Sequence, residues 1–191
     1  MHPALKYVAA LISCAALVAA MAFGAEPAAK SAADKYSVKV PGGLAFSEFR
    51  GYESWQVIAI SHNGDHLAAI LGNPEMINAY KAGIPDNGKP FPDGARMAKV
   101  HWNATKKETY PGQPWAPGKQ LDVDFMVKDS KRFADSGGWG YAVFNYDPAT
   151  DTFTPGTTAN KPPQENDAKC GFACHTLVKN RDYVFTEYGH R

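Results

Sequence analysis

A chain that carries Cys170-Gly-Phe-Ala-Cys174-His175 has to fold around whatever those three side chains hold in common. Two thiols followed directly by a histidine resemble a c-type haem attachment site, in which each sulfur adds to a haem vinyl group and the adjacent imidazole binds the iron. The usual form has two residues between the cysteines, and this one has three. The spacing predicts that one residue bulges outward while both sulfurs still reach their vinyls, and Gly171 eases such a bulge because it lacks a Cβ. Three other readings of the same residues stay open. The cysteines form a disulfide, given a compartment that permits one. They bind zinc, although two Cys and one His leave a structural site a ligand short and no second cluster is present in the sequence. Or they are ordinary buried cysteines. Their adjacency to His175, and the loss of Cys14 on processing, favour haem.

The N-terminus points the same way. Lys6 supplies a short positive region, residues 7–22 are almost wholly apolar, and Ala20-Met21-Ala22 gives the small-x-small pattern of a secretory cleavage site. The apolar run is short for a membrane span and is followed by Pro27 and small residues. Leu11-Ile12-Ser13-Cys14 superficially resembles a lipoprotein processing site, but it comes early and the chain stays hydrophobic beyond it. Residues 1–22 are therefore expected to be a signal peptide, residues 23–35 a flexible leader and residues 36–191 the haem domain. The mature chain is expected in the periplasm, where haem c is assembled, without a membrane attachment.

Charge narrows the partners. The full chain has 20 basic and 19 acidic residues, and loss of Lys6 with the signal leaves the two balanced. A neutral chain without basic runs gives no footing for nucleic acid. A mature length of this order makes one domain with a sizeable core.

Periodicity predicts an α+β fold, mainly an antiparallel β-sheet with a few short helices in a single domain. Residues 55–61 and 66–71 flank Asn63-Gly64-Asp65, a hairpin turn. Asn73 caps a short helix, with Pro74 at its first position and Gly83 just past its end. Residues 86–94 are loop. Residues 95–103 alternate, Ala98, Val100 and Trp102 facing one way and Met97, Lys99 and His101 the other. Residues 121–128 put Leu121, Val123, Phe125 and Val127 inward, opposite Asp122, Asp124 and Lys128. Residues 138–146 form an aromatic-rich strand, residues 148–164 read as irregular, and the Cys/His motif opens a short helix. This pattern is not that of a four-helix bundle.

Several separated segments, in order, carry a family resemblance: Phe49-Arg50, Trp55, Ser61-His62, Ile70-Leu71-Gly72-Asn73, Pro92-Asp93-Gly94, Ala98-Lys99-Val100, residues 125–130, Gly137-Gly138-Trp139-Gly140 and the Cys/His motif. Together they make the chain similar to the cytochrome P-460 family over essentially its whole mature length, with the widened cysteine spacing as the clear departure. The resemblance implies a mostly β, periplasmic protein with one covalent haem c, commonly a homodimer, with His175 as proximal ligand and a redox partner protein. It covers two behaviours. One is oxidation of hydroxylamine, with an unusual lysine-to-porphyrin cross-link. The other is nitric oxide binding without that cross-link, as in cytochrome c′-beta.

Within that resemblance, Lys99 stands where the cross-linking lysine would be, on the strand after an Asp-Gly turn. Its plain alternative is a solvated strand face, the usual place of lysine. His101 shares that face and either lines the pocket, binds a sixth position or packs at the surface. His62 and His66 bracket a turn and are expected to make local hydrogen bonds. The resemblance places proton-shuttling carboxylates shortly before the haem motif, where Glu165 and Asp167 lie; as loop residues they are equally read as solvated charges. Met97 and Met126 are core or face residues unless the iron is six-coordinate. The resulting expectation is a haem protein acting on a small nitrogen compound, hydroxylamine first, with nitric oxide binding or plain electron transfer as the alternatives.

Overall fold

The computed structural model describes residues 34–40, 43–156 and 168–189; the expected signal peptide, nearly all of the leader, and Glu165 and Asp167 lie outside them. Its centre is one six-stranded antiparallel sheet in the order β1-β2-β3-β4-β5-β6, so that each strand pairs with the next along the chain. The strands are β1 (Gln56–Asn63), β2 (His66–Gly72), β3 (Arg96–Lys106), β4 (Trp115–Lys128), β5 (Trp139–Asp147) and β6 (Thr152–Pro155), with helix α1 (Pro74–Lys81) after β2 and helix α2 (Ala168–His175) after β6. The α+β reading, mainly antiparallel sheet, is what the fold shows. No described helix is long and apolar enough to cross a membrane.

Local chemistry explains the best-read elements. In the β1–β2 hairpin Asn63 pairs with His66, and the turn between them places Gly64 at φ +58°, where a side chain would be strained. Asn73 caps α1: its side-chain oxygen accepts from the amide of Met76 at 3.1 Å, and Pro74 follows at the first helical position. The same oxygen accepts from the amide of Arg96 at 2.9 Å, which ties the start of α1 to the start of β3.

Strand alternation sorts side chains onto two faces, and both are covered. On one face Ala98, Val100, Val123, Phe125, Val127 and Phe144 meet the N-terminal 3₁₀ turns through Phe46, Phe49 and Tyr52. The Phe49 ring stacks on Phe125 with centroids 4.0 Å apart and planes 9° apart. Burying each such aromatic is worth on the order of 1.5–3 kcal/mol, so this layer anchors the sheet. On the other face α1, Phe91, Trp139 and Val184 cover one end around Met97, Met126 and Ile70. The remainder of that face meets α2 and the C-terminal segment.

Two sequence expectations change. Residues 148–164 are not irregular throughout, since β6 lies within them; a four-residue edge strand ending in Pro155 leaves little alternation to detect. The Cys/His motif lies on a short helix, as expected, but α2 starts two residues before it, at Ala168, and ends at His175.

Candidate functional site

Helix geometry resolves the odd cysteine spacing. Cys170 to His175 is continuous α-helix, so the expected outward bulge is absent. At 100° per residue, positions four apart lie about 40° from each other on one face, and three intervening residues suit a helix as well as two do. Gly171 has a different task from easing a bulge. A Cβ built there would lie 2.8 Å from Cβ of Tyr141, so the missing side chain lets α2 lie close against β5.

Between α2 and the sheet lies a cavity of about 800 Å³. The sheet contributes Ile70, Met97, Lys99, Asp124, Met126 and Tyr141; α2 contributes Cys170, Cys174 and His175; Val184 and Phe185 close one side. Its volume lies in the range of small-molecule and cofactor sites, and its wall is mainly apolar with a few polar groups.

His175 is held in one state. Its Nδ1 lies 2.6 Å from the backbone oxygen of Tyr183. A carbonyl only accepts, so Nδ1 carries the proton and Nε2 keeps the lone pair that binds a metal. The ring is flanked by Tyr141, centroid 5.1 Å away, and by Phe185 at 5.0 Å. Burial lowers the His175 pKa, the bond to Tyr183 works against that shift, and the charge of Lys99 lowers it further. The imidazole is therefore neutral at neutral pH, the form a ligand requires.

Lys99 lies on the cavity wall, directly opposite Asp124 across β3 and β4. His101 shares the Lys99 face but is not among the residues lining the cavity; its Nδ1 is 2.5 Å from Asp122 and 3.8 Å from Asp124. Met97 and Met126 are cross-strand partners, both nearly buried, on the same wall. His62 lies exposed with its ring 4.8 Å from Trp115. Residue-by-residue reading of the sequence missed Asp124, Tyr141 and the Tyr183 carbonyl. Alternation had put Asp124 on the polar face, but only the register brings it opposite Lys99.

Several observations test whether a haem suits this cavity. Cys170 and Cys174 are present as thiols on the wall that also bears His175. Among the described residues, the one trio whose ligand atoms come within 4.8 Å of one another is His101, Asp122 and Asp124. Cys170, Cys174 and His175 thus do not converge on a point as zinc ligands would. They are spread along a wall, as a large planar group requires. The hydroxyl of Tyr141 is buried and has no hydrogen-bond partner among the described residues, an orphan that a bound group or its water would satisfy. Burial, with Tyr183 and Asp182 nearby, raises its pKa far above the ordinary phenol value, so it stays a donor. The residues fit a haem, with His175 offering Nε2 and the two thiols offering attachment.

A family model described as cytochrome P-460 matches residues 49–186. No curated protein matches the chain.

Proposed function

The chain belongs to the cytochrome P-460 family and is a haem cytochrome, and from that premise we propose that it is a periplasmic mono-haem c protein that oxidises hydroxylamine. In this reading it works as a homodimer and passes electrons to a redox partner protein. The observation that carries it is the pairing of Lys99 with Asp124, a cation and a carboxylate opposed on an otherwise largely apolar cavity wall.

Haem, when bound, supplies an iron site for a small nitrogen ligand and a route for its electrons. Everything else is done by side chains. His175 would hold the iron through Nε2, because Nδ1 is committed to Tyr183. Cys170 and Cys174, one turn apart on α2, would tether the group by adding their thiols across its two vinyl groups. Ile70, Met97, Met126 and Val184 give the cavity an apolar lining. Asp124 would take the protons that hydroxylamine gives up, at a carboxylate oxygen, and Lys99, on the same wall, is our candidate for the cross-linking lysine. Glu165 and Asp167, read from the sequence for the same role, lie outside the described residues.

The apolar majority of the lining favours a second reading, nitric oxide binding without turnover. Mixing the oxidised protein with hydroxylamine and an artificial electron acceptor separates the two. Sustained acceptor reduction is expected. Spectral change without turnover overturns the enzyme reading in favour of ligand binding. No change at all, with six-coordinate iron, overturns both in favour of electron transfer through Met97 or Met126, the two candidate sixth ligands on the cavity wall.

A further inference from the structure

We infer that Lys128 and Asp182 are positioning residues for the iron ligand: their buried ion pair holds the Tyr183 carbonyl against Nδ1 of His175 and so sets the direction of Nε2. The inference rests on reading His175 as that ligand.

The starting point is a strained turn. Asp182 and Tyr183 are consecutive non-glycine residues at φ +49° and +64°. Side chains are uncommon in this left-handed region, and such backbone persists only where the surroundings over-determine it. Here Asp182 is held from three directions by the sheet and its loops. Lys128 Nζ, at the end of β4, donates to both carboxylate oxygens, at 2.7 and 3.0 Å. The amide of Phe91 donates to Oδ2 at 2.8 Å. The indole Nε1 of Trp139 donates to the Asp182 backbone oxygen at 2.8 Å.

Lys128 is itself locked, donating to the Gly137 carbonyl at 3.0 Å and lying 5.1 Å from the Trp139 ring. Gly137 then meets the Tyr183 side chain: a Cβ added there would fall 2.1 Å from Cε2 of that ring. The next backbone oxygen after Asp182 is the one that receives Nδ1–H of His175. A chain of direct contacts therefore runs from β4 to the imidazole.

Burial makes the pair's purpose geometric. The two side chains are only 6% and 13% exposed. An apolar pair of similar volume would often stabilise a fold as well or better, because both charges lose water. What it would lack is the directional, two-oxygen grip that fixes a backbone carbonyl. A histidine ligand whose second nitrogen donates to a fixed acceptor has a set tautomer and orientation and a more basic Nε2.

The test is the iron–histidine stretching band in resonance Raman spectra of the reduced holoprotein, with the midpoint potential beside it. Asp182→Asn is the leading variant, since Asn tolerates the left-handed backbone and keeps an acceptor for Phe91 while losing the charge. Lys128→Met is the second, and Asp182→Asn alone decides should Lys128→Met fail to fold. Arg132→Met, which breaks the Arg132–Glu48 pair, controls for loss of an ion pair as such. The band is expected to move down in frequency and broaden in Asp182→Asn and Lys128→Met, with a raised potential, and to stay put in Arg132→Met. A band of wild-type position and width in Asp182→Asn holoprotein overturns the inference. The His175→Gly variant separates the two levels: a band that survives there, or that the wild type lacks, overturns the ligand reading itself.

Discussion

Lys99 and Asp124 stand directly opposite each other on β3 and β4, both on the wall of the cavity that α2 closes. Directly opposed antiparallel residues have Cβ atoms about 4.5–5.5 Å apart, so the two heads share one region of the cavity. Asp124→Asn keeps the shape and removes the base. It should lower kcat for hydroxylamine about 100-fold, within the usual range for losing a general base, with KM changed little. Steady-state acceptor reduction checks this, and equal kcat values would remove Asp124 from the mechanism.

The thioether assignment has its own test. Cys170 and Cys174 lie one helical turn apart on one face. Haem should stay with the protein after acid denaturation and organic extraction. Haem leaving quantitatively with the solvent would contradict the covalent reading. Cys174→Ala should impair retention more than Cys170→Ala, since Cys174 directly precedes His175.

Close packing of α2 on β5 predicts a cost for a single methyl group. Gly171→Ala would place Cβ 2.8 Å from Cβ of Tyr141, an atom that cannot swing away. Overpacking costs about 1–3 kcal/mol, against about 1 kcal/mol gained from alanine's helix preference. Thermal unfolding of the holoprotein should therefore show lower stability in Gly171→Ala, and a rise in Tm would show that α2 is free to shift.

Much of this architecture can be read from residue patterns alone, and the exceptions share a cause. Asn73, Pro74 and Gly83 announce α1 because capping is local chemistry. The alternation at 121–128 announces β4 because period two is also local. The features that make the site are not local. The Lys99–Asp124 pairing depends on strand register. The His175 partner is a backbone oxygen, which has no side-chain signature. Lys128 and Asp182 lie 54 residues apart and meet only through the fold. The bulge expected at Gly171 fails for a related reason, since cysteine spacing carries no information about whether the segment is helical.

Two of the family-bearing segments meet in space at Asp93 and Ser130. The Asp93 carboxylate accepts from the Ser130 amide and hydroxyl, each at 2.8 Å. These bonds lower its pKa, side chain first and then backbone. A folded-state value below the unfolded one, about 3.9, means the contribution is present above pH 4 and lost as pH falls through the lowered value. Asp93→Ala should cost about 1 kcal/mol at pH 7, reduced by exposure. In urea titrations the gap between wild type and variant should narrow below pH 4. A gap independent of pH would mean that the carboxylate charge contributes nothing.

If Lys99 and His175 address one haem, from the sheet wall and from α2, the absorption spectrum of the reduced protein reads both contacts at once. Absorption should lie to the red of an ordinary haem c, revert to the ordinary position in Lys99→Ala and change in spin state in His175→Ala. An ordinary haem c spectrum in the wild type, unchanged by Lys99→Ala, would contradict that arrangement.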